Sequence, residues 1–209
     1  MDKVRQGPAA RILFIARSMH GGGAERFITI LLRHIDRSQF TPILGLVEKK
    51  GPFLADIPED IEVIDLKVRR VRYALPKIVG LVRKKRPDLI FSSIGYVSLV
   101  VIVARPLMRT GIKIIARETN IPSINLRLSP FPRLFLFLYR CLYPRVDRAI
   151  CQSHDMMNDL LGNFSFPSEK GVVINNPVDV EAIRAHAQYK KDVFPEKAVA
   201  ILAVGKLMY

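Results

Sequence analysis

Cysteine is scarce in this chain: Cys141 and Cys151 are the only two among 209 residues. Two cysteines cannot make a disulfide framework, and theirs have no metal-site spacing, so a reducing compartment is the simpler expectation. Acidic residues are also few, 19 Asp and Glu against 33 Lys and Arg, which leaves a net charge of +14. No apolar run reaches the roughly 18 uncharged residues that a bilayer crossing needs; the longest runs from Ile94 to Ala104. The stretch Met1 to Arg11 is polar and lacks the apolar centre of a secretory signal. Two phosphate-binding signatures fail as well. From Gly21, the dinucleotide fingerprint would require glycine where Arg26 stands, and a P-loop would require Ser or Thr after Gly205-Lys206, where Leu207 stands, and glycine in place of Ala200. Nicotinamide dehydrogenase and P-loop NTPase chemistry are therefore disfavoured.

What is present points to one large α/β domain. Hydrophobic residues make up 49% of the chain, enough for a sizeable core. Short β-rich runs alternate with helical patterns. Ile12–Ala16, Thr41–Val47, Ile61–Leu66, Asp88–Ser92, Lys113–Arg117, Arg148–Ser153 and Val172–Ile174 read as seven strands. Between them, Phe27, Ile28, Leu31, Leu32 and Ile35 share one helical face. Leu75, Ile78, Val79 and Val82 share another, on a helix that Pro87 ends. Tyr96 to Met108 reads as an apolar helix against the sheet, and His154 to Leu161 as a short one. Asn175 to Asp179 reads as a turn, and Ala187 to Lys197 is charged as a linker would be. Strict alternation predicts a doubly wound, parallel, Rossmann-like sheet. Ligands of such sheets bind at the carboxyl ends of the strands. That rule selects the loops after Ala16, Ser92, Arg117, Ser153 and Ile174.

The first of these loops carries the strongest local signal. Gly21, Gly22 and Gly23 join strand to helix, let the backbone approach a ligand closely, and leave free N–H groups at a helix start facing an anion. A flexible βα turn is the plainer alternative. His20, beside the glycines, could donate to a phosphate.

The order of five motifs along nearly the whole chain resembles the amino-terminal half of a GT-B fold glycosyltransferase of the GT4 type. The pieces are Ile12–Ala16 with Gly21-Gly22-Gly23-Ala24-Glu25, Ile114-Ile115-Ala116-Arg117-Glu118-Thr119-Asn120, Ala149-Ile150-Cys151-Gln152-Ser153, Val173-Ile174-Asn175-Asn176-Pro177-Val178-Asp179, and Val204-Gly205-Lys206-Leu207. The resemblance implies an acceptor domain over residues 1–186, followed at 187–209 by the linker and first strand of a donor domain. Its donor-site glutamate pair would fall beyond residue 209, so the chain alone is expected to be inactive. Lys206 stands where such enzymes usually carry arginine, and Glu118 where many carry histidine.

The resemblance further implies sugar transfer, with retention, from a nucleotide-diphosphate donor to a saccharide or lipid-linked acceptor, in surface polysaccharide or glycolipid synthesis. No metal or other cofactor is expected. Such transfer needs the departing diphosphate stabilised by backbone N–H groups and cations, and the acceptor hydroxyl held at the anomeric carbon. Gly21, Gly22, Gly23 and Lys206 suit the first task, with Arg117 pairing to a phosphate. Glu118 could position an acceptor or a donor-sugar hydroxyl as the catalytic carboxylate; the competing reading is a surface Arg117–Glu118 pair or a loop-stabilising carboxylate. Asn120 is either a site residue or a turn cap, Ser153 a ligand contact or, by preference, a helix N-cap, and Asn176 a ligand or, by preference, a turn residue.

Two basic regions bear on partners. Arg127 to Arg148 interleaves arginines with Leu128, Phe131, Leu134, Phe135, Leu138 and Leu142, a pattern suited to an anionic lipid surface or to a core helix with snorkelling arginines. Lys67, Arg69, Arg70 and Arg72 could steer an anionic acceptor or form an ordinary solvated charge run. The chain is therefore expected in the cytoplasm, peripheral to the inner face of the membrane. The rival reading is a non-enzymatic basic module on anionic membrane or nucleic acid. No zinc pattern, aromatic RNA-binding stripe or helix-turn-helix signature supports nucleic acid.

Overall fold

The computed structural model describes residues 8–187, so Lys206 and the residue 198–209 strand-loop lie outside the described residues. Seven strands form one sheet in which every neighbouring pair is parallel. They are β1 (Ala10–Ala16), β2 (Phe40–Leu46), β3 (Glu62–Asp65), β4 (Leu89–Ser93), β5 (Lys113–Arg117), β6 (Arg148–Cys151) and β7 (Gly171–Val173). The spatial order is β3-β2-β1-β4-β5-β6-β7. From β1 the chain winds first toward β3, then crosses to β4 and winds the other way. The switch point therefore lies between β1 and β4, where the loops following the two strands diverge and leave a crevice at their carboxyl ends. The register sets Phe14 beside Phe91 and Ile15 beside Ser92.

The helices are α1 (Gly23–His34), α2 (Leu75–Lys85), α3 (Gly95–Ala104), α4 (Pro122–Arg127), α5 (Pro132–Leu142) and α6 (His154–Phe164). Alternation along the strands splits the core in two. On one face Leu13, Ile15, Ile90, Ile114, Ala116 and Ala149 pack with side chains of α2, α3, α5 and α6. On the other, Phe14, Leu44, Leu46 and Phe91 pack under Ile28 and Leu32 of α1. Each buried Leu, Ile or Phe among them contributes about 1.5–3 kcal/mol by leaving water. Residues 8–177 form one compact unit; residues 178–187, with helix α7 (Val180–Ala187), belong to a second.

Three helices bear on the sequence reading. The apolar, arginine-rich segment from Arg127 is not one continuous helix: α4 ends at Arg127 and α5 begins only at Pro132. Pro130 lies in the break, and Pro132 opens α5 in its first turn, where its missing N–H needs no partner and it keeps the preceding residue out of the helix. Helix α2 ends just before Pro87, as expected, and Arg86 closes it in the left-handed conformation, φ 48°, with its N–H on Val82 O. Finally, α7 follows the expected turn at Asp179.

Candidate active site

The glycine loop sits on the carboxyl edge of the sheet, directly after β1. Gly21 has φ +103°, a conformation that favours glycine, and Gly22 is the extended N-cap of α1 with no side-chain capping bond. The loop is held from the side. Met19 donates its N–H to Lys50 O at 2.7 Å, and Phe53 donates to Met19 O at 3.2 Å. Gly51 makes this approach possible: a Cβ there would overlap the Met19 carbonyl. Across the crevice, Ile94 follows β4 with φ +84°, a strained conformation for a β-branched residue. Its N–H is held by Arg117 O at 3.2 Å. His20 is exposed, with Nδ1 3.2 Å from Ser18 Oγ.

At the end of β5 the alternation of the strand sends Arg117 and Glu118 to opposite faces. Both are buried, 0% and 4% exposed, and Arg117 forms no ion pair among the described residues. The surface-pair reading is therefore excluded. Arg117 lies on the α1 face, its guanidinium carbon 3.8 Å from the centre of the Phe27 ring, which in turn stacks on Phe91. It donates to Ser93 Oγ at 3.2 Å and to Asn176 Oδ1 at 2.5 Å, while its buried Nε has no partner. Burial holds its pKa down at about 10, against the opposing pull of the Glu118 charge.

Asn176 also donates through Nδ2 to Gln152 Oε1 at 2.8 Å, Gln152 donates to Glu118 O at 2.9 Å, and Asn175 donates to Gln152 O at 3.0 Å. The ends of β4, β5, β6 and β7 are thus tied into one polar network. Asn176 is a member of it, more than a turn residue. Gln152 and Ser93 belong to it too, although the sequence reading singles out neither as a site residue. The strand-end rule could have flagged them, since each lies at or beside the carboxyl end of its strand.

Glu118 points into the other core. Tyr139 Oη donates to its Oε1 at 3.2 Å, and Tyr143 Oη is buried beside the same carboxylate without a hydrogen bond of acceptable geometry. The two rings stack 4.7 Å apart. Burial raises the Glu118 pKa to about 7, opposed by both hydroxyls and by the Arg117 charge. Burial first, then Glu118, drives both tyrosines well above their ordinary value and the Cys151 thiol up to about 12. Tyr139 comes so close to the start of α3 that a Cβ on Gly95 would overlap its hydroxyl. Glu118 thus fastens α5 to the sheet edge from within.

The remaining predicted residues separate. Ser153 caps α6, accepting from Met156 N at 3.3 Å, as favoured from the sequence. Asn120 is exposed in a bend, outside the polar network of the strand ends. Among the described residues, no group of three or more His, Cys, Asp or Glu could hold a metal ion. The parallel topology brings the glycine loop, Ser93, Ile94, Arg117, Gln152 and Asn176 to one edge. That edge combines the N–H groups of a helix start, a buried guanidinium and amides around a crevice suited to an anion.

The structure resembles that of sucrose-phosphate synthase from Thermosynechococcus elongatus, with a TM-score of 0.66, 13% identity, and coverage of 88% of this chain and 53% of that one. It resembles Anabaena Alr3699/HepE in complex with UDP, with a TM-score of 0.60, 22% identity, and coverage of 85% and 50%. A relative 27% identical over 201 residues is the Campylobacter jejuni N-acetylgalactosamine-N,N'-diacetylbacillosaminyl-diphospho-undecaprenol 4-alpha-N-acetylgalactosaminyltransferase. That alignment takes in 91% of this chain and 53% of the relative, so the chain spans about half the length of the relative it matches. The family described as Glycosyltransferase Family 4 matches residues 21–182, from the glycine loop to the beginning of α7. On that match, extending over most of its length, the chain belongs to glycosyltransferase family 4.

Proposed function

We propose that this chain forms the acceptor-side half of a retaining glycosyltransferase. The enzyme moves a sugar from a nucleotide-diphosphate donor to a saccharide or lipid-linked acceptor in glycan synthesis. The observation that carries the reading is the crevice at the β1/β4 switch point, with the glycine loop on one side and Ser93, Arg117 and Asn176 on the other. In this reading the N–H groups at the start of α1 face the developing diphosphate charge, a task given to backbone dipoles and cations rather than to a metal. Arg117, fully buried and already bonded, acts by orienting Asn176 at the crevice. Glu118 is a positioning residue, since its carboxylate faces Tyr139 and not the crevice. The relative's action on a diphospho-undecaprenol substrate supports a lipid-linked acceptor here.

The same reading has the protein work in the cytoplasm at a membrane surface. Leu128, Phe131, Leu134 and Phe137 are exposed, at 82%, 62%, 52% and 63%, beside the exposed Arg127 and Arg133. Such a patch suits an anionic interface. The deciding experiment is transfer of labelled sugar from a panel of nucleotide sugars to polyprenyl-diphosphate saccharides. It is run with this chain and with a form continued through a donor-binding domain. Transfer by the longer form only is expected. Turnover by the 209-residue chain alone would overturn the division of labour, and no transfer by either form would overturn the function.

A further inference from the structure

A groove of about 540 Å³ lies beside the crevice, within the range of roughly 300–1,000 Å³ typical of small-molecule sites. Its floor is apolar: Leu99, Val100 and Val103 of α3, and Phe135, Leu138 and Leu142 of α5. Val103 remains 46% exposed, an apolar side chain left in water. The rim is cationic, formed by Arg17, Arg69, Arg70 and Arg72. All four are exposed, and none forms an ion pair among the described residues. Arg72 rests 5.1 Å from the centre of the Tyr73 ring. Arg17 follows the last residue of β1, so the charged part of the groove adjoins the glycine loop.

We infer that this groove holds the chain of a prenyl-type lipid diphosphate, with its phosphates on the arginine rim. The inference deepens the proposed function, because it assumes that this domain presents the acceptor. The charge pattern selects the occupant. Unpaired guanidiniums match the planar, multidentate demands of a diphosphate. A concave floor without charged side chains matches one hydrocarbon chain. A peptide would find few polar partners on that floor. A nucleic acid could engage the arginines but would leave the apolar floor without a partner. A diphosphate seated at Arg17 would direct the group it carries toward the crevice, where transfer takes place.

The test is calorimetric titration of the 209-residue chain with geranylgeranyl diphosphate below its aggregation concentration. Inorganic diphosphate, uncharged geranylgeraniol and phosphatidylglycerol vesicles serve as comparisons. Geranylgeranyl diphosphate is expected to bind at least about tenfold more tightly than either of its halves. Replacing Arg69 and Arg70 together with Ala should weaken it by about tenfold or more, given charge-assisted bonds lost at each site. Val103→Asp, at an exposed position, should weaken the prenyl probe while leaving inorganic diphosphate unchanged, with a thermal melt checking that the variant folds. Equal binding of inorganic diphosphate and the prenyl probe, or full binding by the arginine variant, would overturn the proposal. So would binding to vesicles without binding to the dispersed probe. Transfer to a water-soluble saccharide, with the prenyl probe ignored, would overturn the groove alone and leave the proposed function intact.

Discussion

Replacing Glu118 with glutamine should change how stability depends on pH, and in a direction opposite to that of most carboxylates. Glu118 has a native pKa of about 7, against an ordinary value of 4.5. The folded state therefore holds a proton that the unfolded chain releases. Stability from this group is complete below pH 4.5, falls as pH rises, and levels off above about 7. The separation of the two values corresponds to about 3 kcal/mol. Glutamine keeps an acceptor for Tyr139 Oη and carries no charge, so it removes the pH-dependent part while retaining the contact. Urea unfolding of both proteins at about pH 5 and about pH 8, at fixed ionic strength, isolates most of the effect. Other groups cancel in the difference, such as Asp147, whose pKa is lowered, against its burial, by Ile114 N–H, Arg105 and Lys113. The Glu118→Gln protein should gain about 2–3 kcal/mol relative to wild type between the two pH values, a midpoint difference on the order of 1 M. Parallel stability curves would refute a proton held by Glu118. A Glu118→Gln protein that loses ground to wild type at the higher pH would show that the carboxylate is ionised and paired.

Gly95→Ala should destabilise the fold by about 1–3 kcal/mol, because its Cβ would overlap the Tyr139 hydroxyl, which Glu118 holds in place. A thermal melt unchanged from wild type would contradict that contact. Ser153→Ala removes the side-chain cap on α6 and should cost about 1 kcal/mol in the same melt, with Ser153→Asp restoring it. Arg133→Glu should reduce pelleting with phosphatidylglycerol vesicles at low salt without altering stability, since Arg133 is exposed. Arg140→Glu should also lower stability, because Arg140 donates to Asn163 O at 3.0 and 3.3 Å. Equal pelleting by all three proteins would count against the α5 face as a membrane surface.

The sheet is legible in the sequence because each strand is a short apolar run bounded by charge or turn residues, and parallel strands buried on both faces leave that mark. The glycine loop is legible for the same reason: its position follows from β1. Hidden from the sequence is the set of residues that each strand end meets. Nothing near Glu118 in sequence announces Tyr139 and Tyr143, which arrive from α5 and the turn after it through long-range packing. Phe27 reads as one member of an amphipathic stripe, yet it carries the Arg117 guanidinium on its ring. Gly51 looks like an ordinary turn glycine until the Met19 carbonyl is seen against it. The helical pattern from Arg127 onward reads too long because apolar periodicity continues across Pro130, which lies in the break, and Pro132, which starts a new helix.

The scarcity of cysteine has a practical consequence. Cys141 is exposed on α5, whereas Cys151 is sealed beneath the sheet edge with its thiol driven up to about 12. Only a thiolate attacks an electrophile, so a maleimide dye at neutral pH should settle on Cys141 alone. The unmutated protein thereby accepts a single fluorophore on the helix that carries Leu138 and Leu142. Changes in its emission during a titration would track the wall of the groove in real time.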